Sequence, residues 1–143
     1  MTGRFGRETW SVVVPSGWRA RHDDACATLV ADHPIGAVQI SAAFKDSEIL
    51  DADLQDFAAE HLGRGATALS RRAGAFVGFE IAFRDEAHCC RQWYLRSGRQ
   101  MLFVTYNCRL EQQGVEDEVV ELILDSLLAN RGAPGSSSDP AAS

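Results

Sequence analysis

The sequence predicts an α+β fold, an α/β/α sandwich in which an antiparallel sheet of about six strands carries a helix on each face. Three observations predict it. Period-two runs rich in apolar and β-branched residues follow one another with short turns between them, the pattern of consecutive hairpins. Two stretches, around Leu54–Leu62 and Glu116–Leu128, switch to the helical period. The run Arg91–Cys108 is apolar on both of its strand faces, and such a strand needs cover on both sides.

In chain order, residues 1–8 read as a flexible leader, 9–130 as a single domain and 131–143 as a disordered tail whose Gly-Ala-Pro-Gly-Ser-Ser-Ser composition buries too little to order itself. Trp10–Val14 is a strand closed by the turn Pro15-Ser16-Gly17, because proline cannot donate to a ladder and belongs at a strand end. Arg19–Asp24 reads as polar loop. Ala27–Ala31 and Ala37–Phe44 form a hairpin around His33-Pro34-Ile35-Gly36, and Val38, Ile40 and Ala42 alternate with Gln39, Ser41 and Ala43. Leu54, Phe57, Ala58, His61 and Leu62 then fall on one helical stripe, with Asp51 or Asp53 at its start and Gly63 to end it in the left-handed conformation. Ala66–Ser70 is a short strand. Gly74–Arg84 is a longer one, turning at Asp85-Glu86. Glu116–Leu128 closes the domain as a helix with Glu116, Asp117 and Glu118 in its first turn, where negative charge suits the helix dipole.

Arg91–Cys108 is the centre of the pattern. A two-residue Ser97-Gly98 loop sets Arg96 opposite Arg99, Trp93 opposite Leu102 and Arg91 opposite Val104. One face then carries Trp93, Leu95, Leu102, Val104 and Tyr106, and the other Tyr94, Met101, Phe103 and Thr105. In this register Cys89 lies opposite Tyr106, with Cys108 diagonal to it.

The chain has 143 residues, a net charge of −6 and a pI near 5.1. That balance argues against general binding of nucleic acid or anionic membrane, which rests on clustered positive charge. No apolar run is long enough for a membrane span and the first residues lack a secretory core segment, so a cytoplasmic location with reduced thiols is expected. Lys45 is the only lysine beside thirteen arginines, which reads as codon bias.

Candidate chemistry is sparse. His88-Cys89-Cys90 lacks metal-ligand spacing, and neighbouring strand residues point to opposite faces, so no metal site is expected. Cys89 and Cys108 are either buried inert thiols, the plainer reading, or a redox pair. Glu80 stands in an otherwise apolar strand and needs a partner, for which Arg71, Arg91 and Arg109 are available. His61 sits at the edge of an apolar stripe. The acidic pairs Asp23-Asp24 and Asp85-Glu86 fall in loops, where solvation explains them. No catalytic residue and no cofactor site is expected.

Val14-Pro15-Ser16-Gly17-Trp18, Ile40-Ser41 ahead of a helix, Gln92-Trp93-Tyr94 followed by Leu102-Phe103-Val104-Thr105-Tyr106, and the closing Leu124-Asp125-Ser126-Leu127 together resemble the PsbP-like superfamily over about Trp10–Leu128. That superfamily has no shared catalytic residues, and the resemblance implies a binding role toward other proteins. The expectation is therefore a noncatalytic, cytoplasmic, protein-binding or chaperone-like module. Its partner is another protein, with a second copy of the chain as an open alternative. Trp18, Tyr94, Arg96 and Arg99 are the candidate contact residues. The competing expectation is a small-ligand binder or enzyme whose pocket between helix and sheet gathers Glu80, His61 and Cys89, or else a thiol or metal sensor.

Overall fold

A computed structural model of the chain describes residues 3–24 and 26–129. The expected tail, 131–143, lies outside the described residues. In order the elements are β1 (Gly3–Gly6), β2 (Trp10–Val14), β3 (Trp18–His22), β4 (Ala27–Ala31), β5 (Gly36–Phe44), α1 (Asp51–Phe57), α2 (Ala59–Gly63), β6 (Ala68–Ala73), β7 (Phe76–Arg84), β8 (His88–Ser97), β9 (Gln100–Arg109), α3 (Asp117–Asp125) and β10 (Leu128–Ala129). A single 3-10 turn, Leu110–Gln112, leads from β9 toward α3.

The main sheet has seven antiparallel strands in the order β3-β4-β5-β9-β8-β7-β6. It is two meanders, β3-β4-β5 and β6-β7-β8-β9, joined along β5 and β9 from Gly36 opposite Cys108 to Phe44 opposite Gln100. The β8–β9 hairpin is thus central, as its two-sided apolar character requires. A second sheet, β1-β2-β10, has three strands.

The two faces of the main sheet bury different residues. On one, Leu29, Val38, Ile40, Trp93, Leu95, Leu102, Val104 and Tyr106 pack against Trp10 and Val12 of β2 and Val120, Ile123, Leu124 and Leu127 of the α3 region. On the other, Phe79, Ile81 and Tyr94 pack against Leu54 and Ala58 of α1–α2, with Ile49 before them. A helix does lie on each face, but the small sheet shares one of them with α3. The architecture is therefore the expected α+β arrangement with seven main strands and an added three-stranded sheet in place of about six strands.

Several local expectations are corrected. Gly3–Gly6, read as leader, pairs with β2 from Gly3 opposite Val14 to Gly6 opposite Ser11. Arg19–Asp24, read as loop, begins as β3: Trp18 and Ala20 pack on the core while Arg19 and Arg21 point away, a period of two masked by its arginines. The first helix departs from helical geometry at Ala58 (φ −92°, ψ 6°), yet Ala58 N–H still donates to Leu54 O at 3.0 Å and Leu62 N–H to Ala58 O at 3.1 Å, so the stripe keeps facing the sheet. Its left-handed stop is Gly65, not Gly63. Gly65 takes φ +89° while its N–H donates to Leu62 O and that of Ala66 to His61 O, the paired bonds of a Schellman stop. The last helix stops at Asp125, and Leu128–Ala129 leaves it to pair with Trp10–Ser11 of β2.

The hairpin register is also displaced. Ser97 pairs with Gln100, so the loop is Gly98-Arg99, with Gly98 at φ +60° in the first loop position. Trp93 therefore faces Val104 instead of Leu102. A shift of two residues leaves every side chain on its expected face, because the strand period is also two. It does change partners: Cys89 lies directly opposite Cys108, and Arg91 opposite Tyr106.

Candidate functional site

The polar groups on the α3 side of the sheet are tied into an ionic lattice. Glu80 and Trp93 oppose each other on β7 and β8. Glu80 accepts from Trp93 Nε1 at 2.9 Å and from Arg91 Nε at 2.7 Å, and the Arg91 guanidinium lies 4.7 Å from the Trp93 ring centre. Of the three arginines considered for Glu80, Arg91 is the one that reaches it. Arg91 also donates to Glu121 at 2.7 Å and to Asp117 at 3.4 Å, and Arg71 pairs with Glu121 at 2.7 Å and Asp125 at 3.4 Å. Burial works against the Arg91 charge, but its bonds to Glu80 and Glu121 outweigh that and hold the proton more firmly than usual. Burial likewise pushes the Glu121 carboxyl up, and bonds from Arg91 and Arg71 bring it below its ordinary value. These charges stitch α3 to the sheet, and among their described atoms Arg71 Nε alone is buried without a hydrogen-bond partner.

Beside this lattice lies a cleft of about 280 Å³ lined by Cys89, Arg91, Tyr106, Gly114 and Asp117 among others. Behind it the Cys89 and Cys108 sulfur atoms stand 3.1 Å apart. The Tyr106 hydroxyl donates to Glu116 Oε1 at 2.7 Å, and the Gly36 N–H donates to the same oxygen at 3.0 Å. Burial, with Cys89 next, raises the Cys108 thiol to about 11, and burial with the Glu116 carboxylate raises Tyr106. Cys90, on the opposite face, is also raised by burial, to about 11. Glu116 was not singled out from the sequence as a buried acceptor. The signal was there: Glu116, Val120, Ile123, Leu124 and Leu127 share one helical stripe, so the residue that looked like a dipole match is on the buried side.

The residues expected to form a polar pocket do not meet. Glu80 and Cys89 face α3, whereas His61 stacks on Phe83 at 4.9 Å on the other side of the sheet. Among the described residues, no three of His, Cys, Asp and Glu gather closely enough to hold a metal ion. The expected contact residues do not share a surface either. Trp18 is half-buried on the α3 side, while Tyr94 is 2% exposed beneath α1, its hydroxyl donating to Gln92 at 2.8 Å. Arg96 pairs with Asp51 at 2.8 Å. Arg99 is exposed at the hairpin tip, but the tip backbone is engaged: the Gly98 and Arg99 carbonyls accept from Ile49 and Lys45.

A bare surface lies elsewhere. Residues Leu54, Ala58 and Leu62 of α1–α2 cover the β7–β8 side of their face. The other half of that face carries Thr28 and Val30 of β4, Gln39 and Ser41 of β5, and Thr105 of β9, in register across the strands. Gln39 is exposed and the rest are half-buried, with no described helix over them. Exposed Arg19 and Arg21 of the edge strand β3 border this floor, since they pair with Val30 and Thr28. The opposite border is aromatic. Phe57 is 54% exposed, and its ring meets those of Phe103 and Tyr94 edge-on at 5.5 and 5.7 Å.

No protein-family model matches the chain, and no curated protein matches its sequence. Solved structures do match. A Bacteroides thetaiotaomicron VPI-5482 crystal structure aligns with a TM-score of 0.64 at 16% identity, over 86% of this chain and 46% of that one, so this chain spans about half its length. The Mycobacterium tuberculosis protein LpqN, described as involved in cell envelope biogenesis, aligns with a TM-score of 0.61 at 14% identity over 91% of both chains. Cyanobacterial PsbP from Synechocystis sp. PCC 6803 is also among the matches, with a TM-score of 0.43 at 8% identity over 90% of this chain and 92% of that one. The likeness to the first two is one of fold.

Proposed function

We propose that the chain is a noncatalytic protein-binding module that docks another protein on the bare half of the α1–α2 face. One observation carries this reading: a stretch of sheet floor, Thr28, Val30, Gln39, Ser41 and Thr105, lies open on a face whose other half is covered. The borders specify the partner's chemistry. Arg19 and Arg21 suit carboxylates, and the Phe57–Phe103 edge suits an apolar anchor, so the partner presents an acidic segment bearing an apolar or aromatic side chain. On the α3 side, Glu80, Arg91, Glu121 and Glu116 are engaged in bonds within the fold, which supports a binding role over an enzymatic one.

A photo-crosslinking residue at position 39, with position 118 on the α3 face as control, tests this in the native cell. The expected result is a discrete adduct with a different protein from position 39 only. Arg19→Glu combined with Arg21→Glu should then weaken the purified pair roughly tenfold. Equal labelling from both positions, or an adduct only with a second copy of this chain, would overturn the reading.

A further inference from the structure

We propose that Cys89 and Cys108 are an oxidisable pair that closes to a disulfide across β8–β9, with Cys89 as the thiol that first meets a low-molecular-weight disulfide entering the neighbouring cleft. The pairing is direct. Cys89 and Cys108 occupy opposed positions in the antiparallel ladder, where α-carbons stand about 4.5–5.5 Å apart, within the span that a disulfide bridges. Their sulfur atoms are 3.1 Å apart and need to close by only about 1 Å to bond. Cys89 lines the cleft of about 280 Å³ and Cys108 lies behind it, which assigns an order to the two steps. The other cysteines are poorly placed to compete. Cys90 also borders the cleft, but in a regular strand its side chain points through the opposite face and it lies opposite Asn107, and Cys26 precedes β4 in the other meander, so neither has a thiol across the ladder to close with.

The exchange balances without a further reactant. Cys89 loses its proton and its sulfur attacks one sulfur of the small disulfide. That S–S bond breaks, and one small thiol leaves carrying a proton. Cys108 then loses its proton and attacks the Cys89 sulfur of the mixed disulfide, expelling the second small thiol. Two protein thiols are oxidised and one small disulfide is reduced to two thiols. Because burial holds the Cys108 thiol near 11, the closing step should quicken as pH rises toward that value. Proximity offsets the low thiolate fraction at neutral pH.

The test uses the purified full chain and oxidised glutathione as the probe. The Cys90→Ser variant makes the peptide assignment unique, and intact mass with alkylation after unfolding gives the same count on the unaltered chain. The expected product has lost two hydrogens, shows a Cys89–Cys108-linked peptide, and melts on the order of 5 °C higher than the reduced form. Dithiothreitol should reverse both changes, and Cys108→Ser should leave glutathione attached at Cys89. A lasting glutathione adduct on the chain that retains Cys108, a link through Cys26, or four alkylatable thiols in protein that kept its native circular dichroism would each overturn the proposal.

Discussion

Glu80 shows how one polar side chain can be kept in a core strand. Its side chain is 13% exposed, and its two oxygens are taken by Arg91 and Trp93. Removing one partner of such a pair costs more than forming it gained, because the remaining charge stays desolvated. Arg91→Ala should therefore destabilise the fold by about 3 kcal/mol at neutral pH, read from chemical denaturation. The sign of its pH dependence follows from Glu121. Arg91 and Arg71 lower that carboxyl below its ordinary 4.5. A depressed folded value contributes stability above the unfolded value and loses it as pH falls through the folded one. The gap between wild type and Arg91→Ala should thus narrow below pH 4.5, and a gap that widened there would contradict this assignment. At this scale the sequence showed that Glu80 needs a cation, but it could not choose among three arginines, since that choice depends on strand neighbours.

The β6–β7 turn illustrates what an element demands of one position. Gly74 holds φ +59°, and an added β-carbon there would lie 2.1 Å from the Leu127 carbonyl oxygen. The turn is pressed against the chain just past α3, where Ala75 N–H donates to that same carbonyl at 2.9 Å. Gly74→Ala combines a left-handed backbone with a clash against backbone, and should cost roughly 2–4 kcal/mol, seen as a lowered melting temperature. Gly98 at the hairpin tip has φ +60° with nothing within 4 Å, so only the conformational part applies there. The hairpin tip was legible as a turn, whereas Gly74 reads in the sequence as the first residue of a strand. That the β6–β7 turn is buried against α3 was not legible, because the contact joins residues more than fifty positions apart. A still longer separation hid β10, whose two residues follow α3 and pair with the edge of β2 more than a hundred positions away.

Across the whole molecule, one strand separates stability from binding. In β5, Ile40 is 1% exposed on the α3 side while Ser41 lies on the bare half of the other face. Ile40→Ala should cost about 2–5 kcal/mol through the cavity it leaves. Ser41→Arg, one residue on, should change stability by less than about 0.5 kcal/mol while abolishing the crosslink from position 39. Equal loss of stability from both would mean that the floor is part of the core. The joint between the meanders is β5–β9, whose residues lie some sixty positions apart in sequence. Pairs of that separation form late and slowly, and they decide which sheet half a helix can reach.

The sequence by itself determined the periods of the apolar strands and of the two helical stretches, both faces of Trp93–Tyr106 and the antiparallel α+β class, because alternation and helical stripes are properties of neighbouring residues. Tertiary structure alone decided that Cys89 opposes Cys108, that Arg91 serves Glu80, that Glu116 is buried, and that half of one sheet face stays bare. Each of these depends on register and on which distant elements close upon one another, and a two-residue slip preserves every local face while changing every partner.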